Sequence, residues 1–211
     1  MPLMLDALLG SLAERLRLPL PGERAHEGMR AMPLSTLRVN FKHDTPPRPG
    51  SVLVLLHEHD DGISFPLILR PAYDGTHGGQ VSFPGGKAEP GETVEATALR
   101  EAAEEIGINA SQVELVGRLS DVFVVPSNFI VTPVVGIMHG KPQFRPDNHE
   151  VERMLTGRLE SLLSAEAPSR RELEVRGYRV DAPCFILDGH VVWGATAMIL
   201  NELRGIMLEM N

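Results

Sequence analysis

Three glutamates inside five residues, Glu101, Glu104 and Glu105, constrain this chain more than any other feature. They lie in TVEATALREAAEEI, Thr93 to Ile106, which reads as a helix closed by Gly107, where a residue of positive φ is wanted. On a helix, positions i, i+3 and i+4 share one face within about one turn, roughly 6 Å along the axis. Three like charges there repel one another and weaken the helix, so something must offset the cost. A hard divalent cation does so, because Mg²⁺ and Mn²⁺ take carboxylate oxygens and keep waters for a substrate's phosphates. The opposite face, Ala96, Leu99, Ala103 and Ile106 with Ala102 at its edge, is apolar and small enough to lie close to a sheet. Arg100 follows Glu92 by eight positions, so an ion pair between them would staple the preceding loop to the helix. Gly85, Gly86 and Gly91 let that loop turn tightly and bring backbone carbonyls toward the ion.

A bare acidic helix face solvated by water is the competing explanation, and on the glutamates alone it has the larger share; the wider spacing of residues from Gly86 to Ile108, given below, turns the balance against it. The net charge is −8, which removes any general attraction to nucleic acid or to an anionic membrane. A phosphate substrate would then need local cations or a metal. Cys184 is the only cysteine, so a disulfide within the chain and a cysteine-cluster zinc site are both excluded. Within Pro183–Leu187 it reads as a buried small hydrophobe. No segment resembles a signal peptide, no apolar run reaches membrane-spanning length, and the C-terminus carries no peroxisomal address, so a cytoplasmic location is expected.

Along the chain, Leu5, Leu8, Leu9, Leu12 and Leu16 have helical spacing, ended by Pro19 and Pro21-Gly22. The Pro-rich stretch from His43 to Gly50 reads as a linker. Strands are expected at Ser51–His57 and Pro66–Arg70 with a turn at Asp60-Asp61-Gly62, then at Val113–Leu119, Ile130–Met138, Glu174–Val180 and Cys184–Trp193, the last broken at Asp188-Gly189. A Gly-rich loop spans Asp74 to Gly86, a short helix is expected at Arg158–Leu163, and a final helix at Ala195–Leu208. This order is no clean βαβ alternation and predicts an α/β (α+β) fold, a mixed sheet with helices on its faces. Residues 1–50 read as an N-terminal helix and linker extension and 51–211 as the main domain.

The segment Gly86–Ile108 fits Gly-x5-Glu-x7-Arg-Glu-U-x-Glu-Glu-x-Gly-U, with Ala102 and Ile108 at the aliphatic U positions. Seven fixed identities over roughly 200 windows give a chance match on the order of one in a million. The segment resembles the Nudix box. By that resemblance the fold is a mixed β-sheet sandwiched between helices, and Glu101, Glu104 and Glu105 hold catalytic Mg²⁺ or Mn²⁺, joined by the carbonyl of Gly86 or Gly85. Glu92 and Arg100 hold the loop in shape. Further segments, His77–Gly86, Pro126–Phe129 with Val131–Val135, the Glu150-Val151 region and Val192–Ala197, look like the coenzyme A pyrophosphatase branch. Enzymes of that branch cut coenzyme A into 3′,5′-ADP and 4′-phosphopantetheine. The branch usually carries an Arg two positions before the His of its signature, where this chain has Gly75. Arg70 and Lys87 are the nearest replacement cations.

The general base is open between Glu104, Glu150 and Glu152, with Glu150 favoured over Glu152 for its place beside Val151. His77 either contacts substrate phosphate or caps the Gly-rich turn, and Gln80 and Phe83 support the loop with substrate contact as the lesser reading. Trp193 is expected in the core rather than on adenine, and Arg170-Arg171 as an exposed pair rather than a grip on a 3′-phosphate. The expected partner is a small molecule, coenzyme A or a related nucleotide diphosphate, with a homodimer as a candidate assembly. Two alternatives remain: a hydrolase of another nucleoside diphosphate derivative such as ADP-ribose or a dinucleotide, and a non-catalytic nucleotide-binding module.

Overall fold

The computed structural model describes residues 2–34, 41–60, 62–72, 77–175 and 177–210. Its central strand β2 (Arg48–His59) is apolar on both faces, the mark of a strand covered from both sides. Leu53 and Leu55 point to one side, Val54 and Leu56 to the other, and all four are fully buried. Burying each such side chain is worth roughly 2 kcal/mol. β2 pairs in parallel with β8 (Phe129–Met138) along its length. Its other edge is shared by β3 (Gly62–Leu69) and the three-residue β5 (Gly85–Lys87), both antiparallel. The two-residue β4 (Val81–Ser82) and β9 (Arg153–Arg158) extend the sheet from β3, and β6 (Glu114–Arg118) and β7 (Val122–Val124) extend it from β8, making eight strands among the described residues.

One face carries α3 (Val94–Ile106), whose Ala98, Ala102 and Ile106 pack on Leu53, Leu55, Ile68 and Val134. The other face meets α1 (Pro2–Arg15) through Leu5 and Leu12, and α5 (Gly194–Met210) through Ile199, Leu203 and Ile206. A second sheet lies on that side: β1 (Met32–Pro33), β10 (Pro168–Val175), β11 (Tyr178–Leu187) and β12 (His190–Trp193), with Phe185 and Val192 in the same core. Two short helices, α2 (Glu23–Glu27) and α4 (Leu159–Leu163), complete the elements. The expected mixed sheet between helices is therefore present. Residues of the N-terminal stretch share the main core, since Leu5, Leu12 and Met29 sit in it.

Several boundaries differ from expectation. The segment read as a linker already forms strand from Arg48, because Arg48–Gly50 pair with Phe129–Val131. β3 starts at Gly62 rather than Pro66; Asp61 of the expected turn lies outside the described residues. The strand expected at Glu174–Val180 is the turn end of the β10–β11 hairpin. Leu173 and Val175 alternate with exposed Glu172 and Glu174, and the outward side chains of the hairpin are held by cross-strand ion pairs, Arg170–Asp181 and Arg179–Glu172. The α3 face also turns differently. Ala98, Ala102 and Ile106 form its buried stripe, while Ala96 is exposed and Leu99 and Ala103 are half-buried.

A buried carboxylate fastens the N-terminal elements. Glu202 of α5 is fully buried and accepts hydrogen bonds from His26 Nε2 (3.1 Å), the Gly22 N–H (2.9 Å), the Ser120 N–H (3.1 Å) and Ser120 Oγ (2.6 Å). Burial pushes its pKa up, but these donors more than offset that, and it lies below the ordinary carboxylate value.

Candidate active site

The site is built by the turn from β5 into α3. Thr93 caps the helix start, its hydroxyl accepting from the Ala96 N–H at 3.2 Å. Gly107 ends it at φ 69° in the left-handed region; a methyl there would also lie 2.8 Å from the Arg145 carbonyl oxygen. The turn is organised by Glu92. Its carboxylate accepts from Arg100 Nε (2.7 Å) and Nη2 (3.0 Å), the Glu89 N–H (2.9 Å) and Thr97 Oγ1 (2.9 Å). The Arg100 hydrogen bond, then the Glu89 N–H, brings Glu92 down to about 2. The staple expected from the eight-residue spacing is thus formed. Arg100 also donates to the Lys87 carbonyl (3.0 Å), Glu101 Oε1 (2.9 Å) and Glu104 Oε2 (3.0 Å); Glu92 first, and then Glu101, raise its pKa above the ordinary arginine value.

The three glutamates occupy different depths. Glu105 lies on the buried stripe with 1% of its surface exposed. Its Oε2 accepts from the Gly85 N–H at 2.8 Å and its Oε1 faces Arg70 Nη2 at 3.2 Å. Burial pushes its pKa up to about 7, with Arg70 and the Gly85 N–H pulling down and Glu101 and Glu150 adding to the rise. Glu101 is raised too, chiefly by burial, with Arg100 opposing and Glu104 and Glu150 contributing. Its carboxylate lies so close to Gly86 that a methyl there would meet Oε2 at 2.4 Å. Glu104 sits on the rim with its side chain 57% exposed.

Of the two glycine carbonyls, that of Gly86 lies against β2, where a methyl on Gly50 would meet it at 2.7 Å. The Gly85 carbonyl accepts from Arg70 Nη2 at 2.9 Å, the nitrogen that also reaches Glu105. Arg70, considered as a cation for phosphate, is turned inward on Glu105, Gly85 and Ser82 Oγ (3.1 Å). Lys87 is exposed beside the turn. His77 Nδ1 and Gln80 Oε1 lie 3.2 Å apart in the turn closed on the Arg70 backbone; Gly75 lies outside the described residues. Trp193 is half-buried, and Arg170 is held by Asp181.

Sequence reasoning did not foresee how Glu150 reaches the site. The Arg145 N–H donates to the Ile106 carbonyl and the Asp147 N–H to the Glu105 carbonyl, both at 2.9 Å, which hooks this loop onto the last turn of α3. The carbonyl of Asp147 then accepts from Glu150 and Val151, and Val151 is buried as the anchor. Glu150 is left exposed, with its charge acting on both Glu101 and Glu105. Glu152 is exposed, its N–H on the Leu69 carbonyl of the sheet.

Among the described residues no three His, Cys, Asp or Glu side chains converge at the spacing of a single ion; Glu101 and Glu104 lean to Arg100 and Glu105 to Arg70. The chemistry of the donors nevertheless fits a hard cation. They are carboxylate and carbonyl oxygens, and burial raises the pKa values of two of the carboxylates, with neighbouring glutamates adding to the rise. A polar surface pocket of about 330 Å³, lined by His59, Thr156, Arg158, Ser161 and Asp188, shares none of these groups. No described helix is long and apolar enough to cross a membrane.

Comparison with known proteins gives the same answer as the box. The family model described as NUDIX domain matches residues 47–182. Nudix hydrolase 15, mitochondrial, of Arabidopsis thaliana is 36% identical over 185 residues, covering 84% of this chain and 63% of that protein. Nudix hydrolase 22, chloroplastic, of the same plant is 37% identical over 171 residues, 77% of this chain and 56% of that protein. The chain thus spans less than two thirds of these plant relatives. A Yersinia pestis protein named Uncharacterized Nudix hydrolase NudL is 31% identical over 173 residues, 74% of this chain and 86% of that protein. Among solved structures, the Nudix hydrolase RenU from M. Smegmatis superposes with a TM-score of 0.55 at 16% identity, over 86% of this chain and 95% of that one. A MutT/nudix family protein from Enterococcus faecalis gives 0.53 at 16% identity, over 81% and 66%. The box geometry, the family match and the shared fold agree that this chain belongs to the Nudix family.

Proposed function

We propose that the chain is a divalent-metal hydrolase of a nucleotide-linked diphosphate, with coenzyme A or a derivative as substrate and 3′,5′-ADP and 4′-phosphopantetheine as products. The observation that carries this reading is the meeting of Glu101 and Glu105 with the Gly85–Gly86 backbone, within range of the Glu150 charge. Glu101 and Glu105, with Glu104 at the rim and the Gly85 carbonyl, would hold Mg²⁺ or Mn²⁺. The ion, when bound, supplies neutralisation of the diphosphate oxygens and makes an attacking water more acidic.

The chain's own groups divide the remaining work. Arg100, tied to Glu92 and to the Lys87 carbonyl, keeps the turn against the helix so that Glu101 stays beside Gly86. Glu150, exposed on its loop and with its charge acting on Glu101 and Glu105, takes the proton of the attacking water on one of its carboxylate oxygens. His77 and Gln80, paired in the Gly-rich turn, and the exposed Lys87 are given the role of orienting the phosphates. Coenzyme A is favoured over ADP-ribose or a dinucleotide by the His77–Gly86 and Pro126–Phe129 segments, which resemble the branch signature. In the latter, Asn128 adopts a left-handed conformation and donates to the Thr45 carbonyl at 3.0 Å.

The test is hydrolysis of coenzyme A, ADP-ribose and NADH at equal Mg²⁺ in ¹⁸O-labelled water, with products identified by mass spectrometry. Coenzyme A should turn over fastest, with the label in one of its two products. Faster turnover of another compound reassigns the substrate, and no metal-dependent turnover on any removes the enzymatic reading.

A further inference from the structure

Arg70 is the cation most deeply drawn into the glutamate cluster, and phosphate recognition does not explain its placement. It sits at the end of β3, its backbone held by Gln80 and Gly79 of the Gly-rich turn. Its Nε is fixed by Ser82 Oγ at 3.1 Å. A single nitrogen, Nη2, then reaches both the Gly85 carbonyl oxygen at 2.9 Å and Glu105 Oε1 at 3.2 Å. Those are two of the oxygens that the proposed function gives to a divalent ion. Glu105 is almost wholly buried and lies near Glu101 and Glu150, so without a counter-charge it would be a costly unpaired anion.

We propose that Arg70 is the resident counter-ion of the metal-free protein and competes with the divalent cation for Glu105 and the Gly85 carbonyl. The reasoning is electrostatic. A guanidinium within hydrogen-bond distance of both oxygens repels any second cation that approaches them, in a setting where water screens little. It also occupies lone pairs that coordination needs. Ion binding therefore loosens the Arg70 contacts, and removing Arg70 favours the ion while weakening the ion-free fold. With its side chain 23% exposed, the guanidinium has a path toward solvent when it lets go. The inference rests on the proposed metal role of Glu105.

The experiment titrates Mn²⁺ alone into EDTA-stripped wild type, Arg70→Gln and Arg70→Lys, reading affinity by calorimetry and, separately, the melting temperature with and without Mn²⁺. Arg70→Gln should bind Mn²⁺ about tenfold more tightly than wild type, melt lower when stripped, and gain more from the ion. Arg70→Lys, which keeps the charge but lacks the fork, should fall between them and stays informative if the glutamine variant does not fold. Equal or weaker Mn²⁺ binding in the folded variants overturns the competition and makes Arg70 a support for the ion. If wild type itself binds no Mn²⁺, the metal reading of Glu105 falls as well, and with it this inference.

Discussion

Gly86→Ala probes the role of Glu101 without replacing a charged group. Gly86 has no left-handed φ, so alanine suits its backbone. The added methyl would lie 2.4 Å from Glu101 Oε2, 2.5 Å from Cδ and 2.6 Å from Oε1. To regain ordinary contact at 3.4 Å the carboxylate must retreat by about 1 Å. It is the far end of a flexible side chain, so the stability cost should stay near 1 kcal/mol, or roughly 2–4 °C in melting temperature for a chain of this size. A misplacement of about 1 Å in a group that positions the reaction costs on the order of 100-fold in rate. The assay is kcat at saturating Mg²⁺ together with the Mg²⁺ concentration for half-maximal rate and a thermal melt. The account expects a large loss of rate and a shifted Mg²⁺ midpoint on a nearly unchanged melt. Wild-type rate and midpoint in a folded variant would refute the placement of Glu101 at the ion. The neighbouring Gly85→Ala is the contrasting control: its methyl would lie 2.3 Å from the Ser51 carbonyl oxygen and 2.5 Å from the Val52 Cα, backbone atoms that cannot swing away, so its stability cost should exceed that of Gly86→Ala several-fold.

Other expectations follow from the same geometry. Glu202→Ala leaves four donors, one buried and three part-buried, without their acceptor and should cost about 3 kcal/mol by denaturant unfolding, roughly 9 °C; a cost under about 1 kcal/mol would show that the carboxylate is not the clamp. Because the pKa of Glu202 is depressed on folding, its stabilisation is full above the ordinary value of 4.5 and disappears as pH falls through the folded value below that. The melting gap between wild type and Glu202→Gln should therefore narrow below pH 4.5, and a constant gap would contradict it. Glu150→Gln should lower kcat by about 10²- to 10⁴-fold with Mn²⁺ binding largely kept, and an unchanged kcat returns the base role to Glu104 or Glu152.

The parts of the site legible in the sequence are the local ones. Thr93, Arg100 and Gly107 announce the helix and its staple because caps and one-turn spacings are set by neighbours in the chain. The depth of each glutamate was not legible. Which face of α3 turns inward depends on Arg70 and the Gly85 N–H, 35 and 20 residues away, which offset the burial of Glu105. The Glu150 loop is placed by two backbone hydrogen bonds to the end of α3, and main-chain donors leave no residue signature. Strands β4 and β5 are two and three residues long and exist only because β3 and β2 offer them edges. The Glu202 clamp joins α5 to Gly22, His26 and Ser120 across gaps of up to 180 residues, beyond any periodicity.

The buried Glu105 and half-buried Glu101 of α3 are proposed here as holders of a divalent ion. Counting bound Mn²⁺ by electron paramagnetic resonance in wild type, Glu101→Gln and Glu105→Gln, each verified as folded by its melt, tests it without reference to any substrate. Wild type should bind Mn²⁺ specifically, and each variant should bind it about tenfold or more weakly, with hydrolysis falling in step. Folded variants that bind Mn²⁺ as wild type does would contradict it.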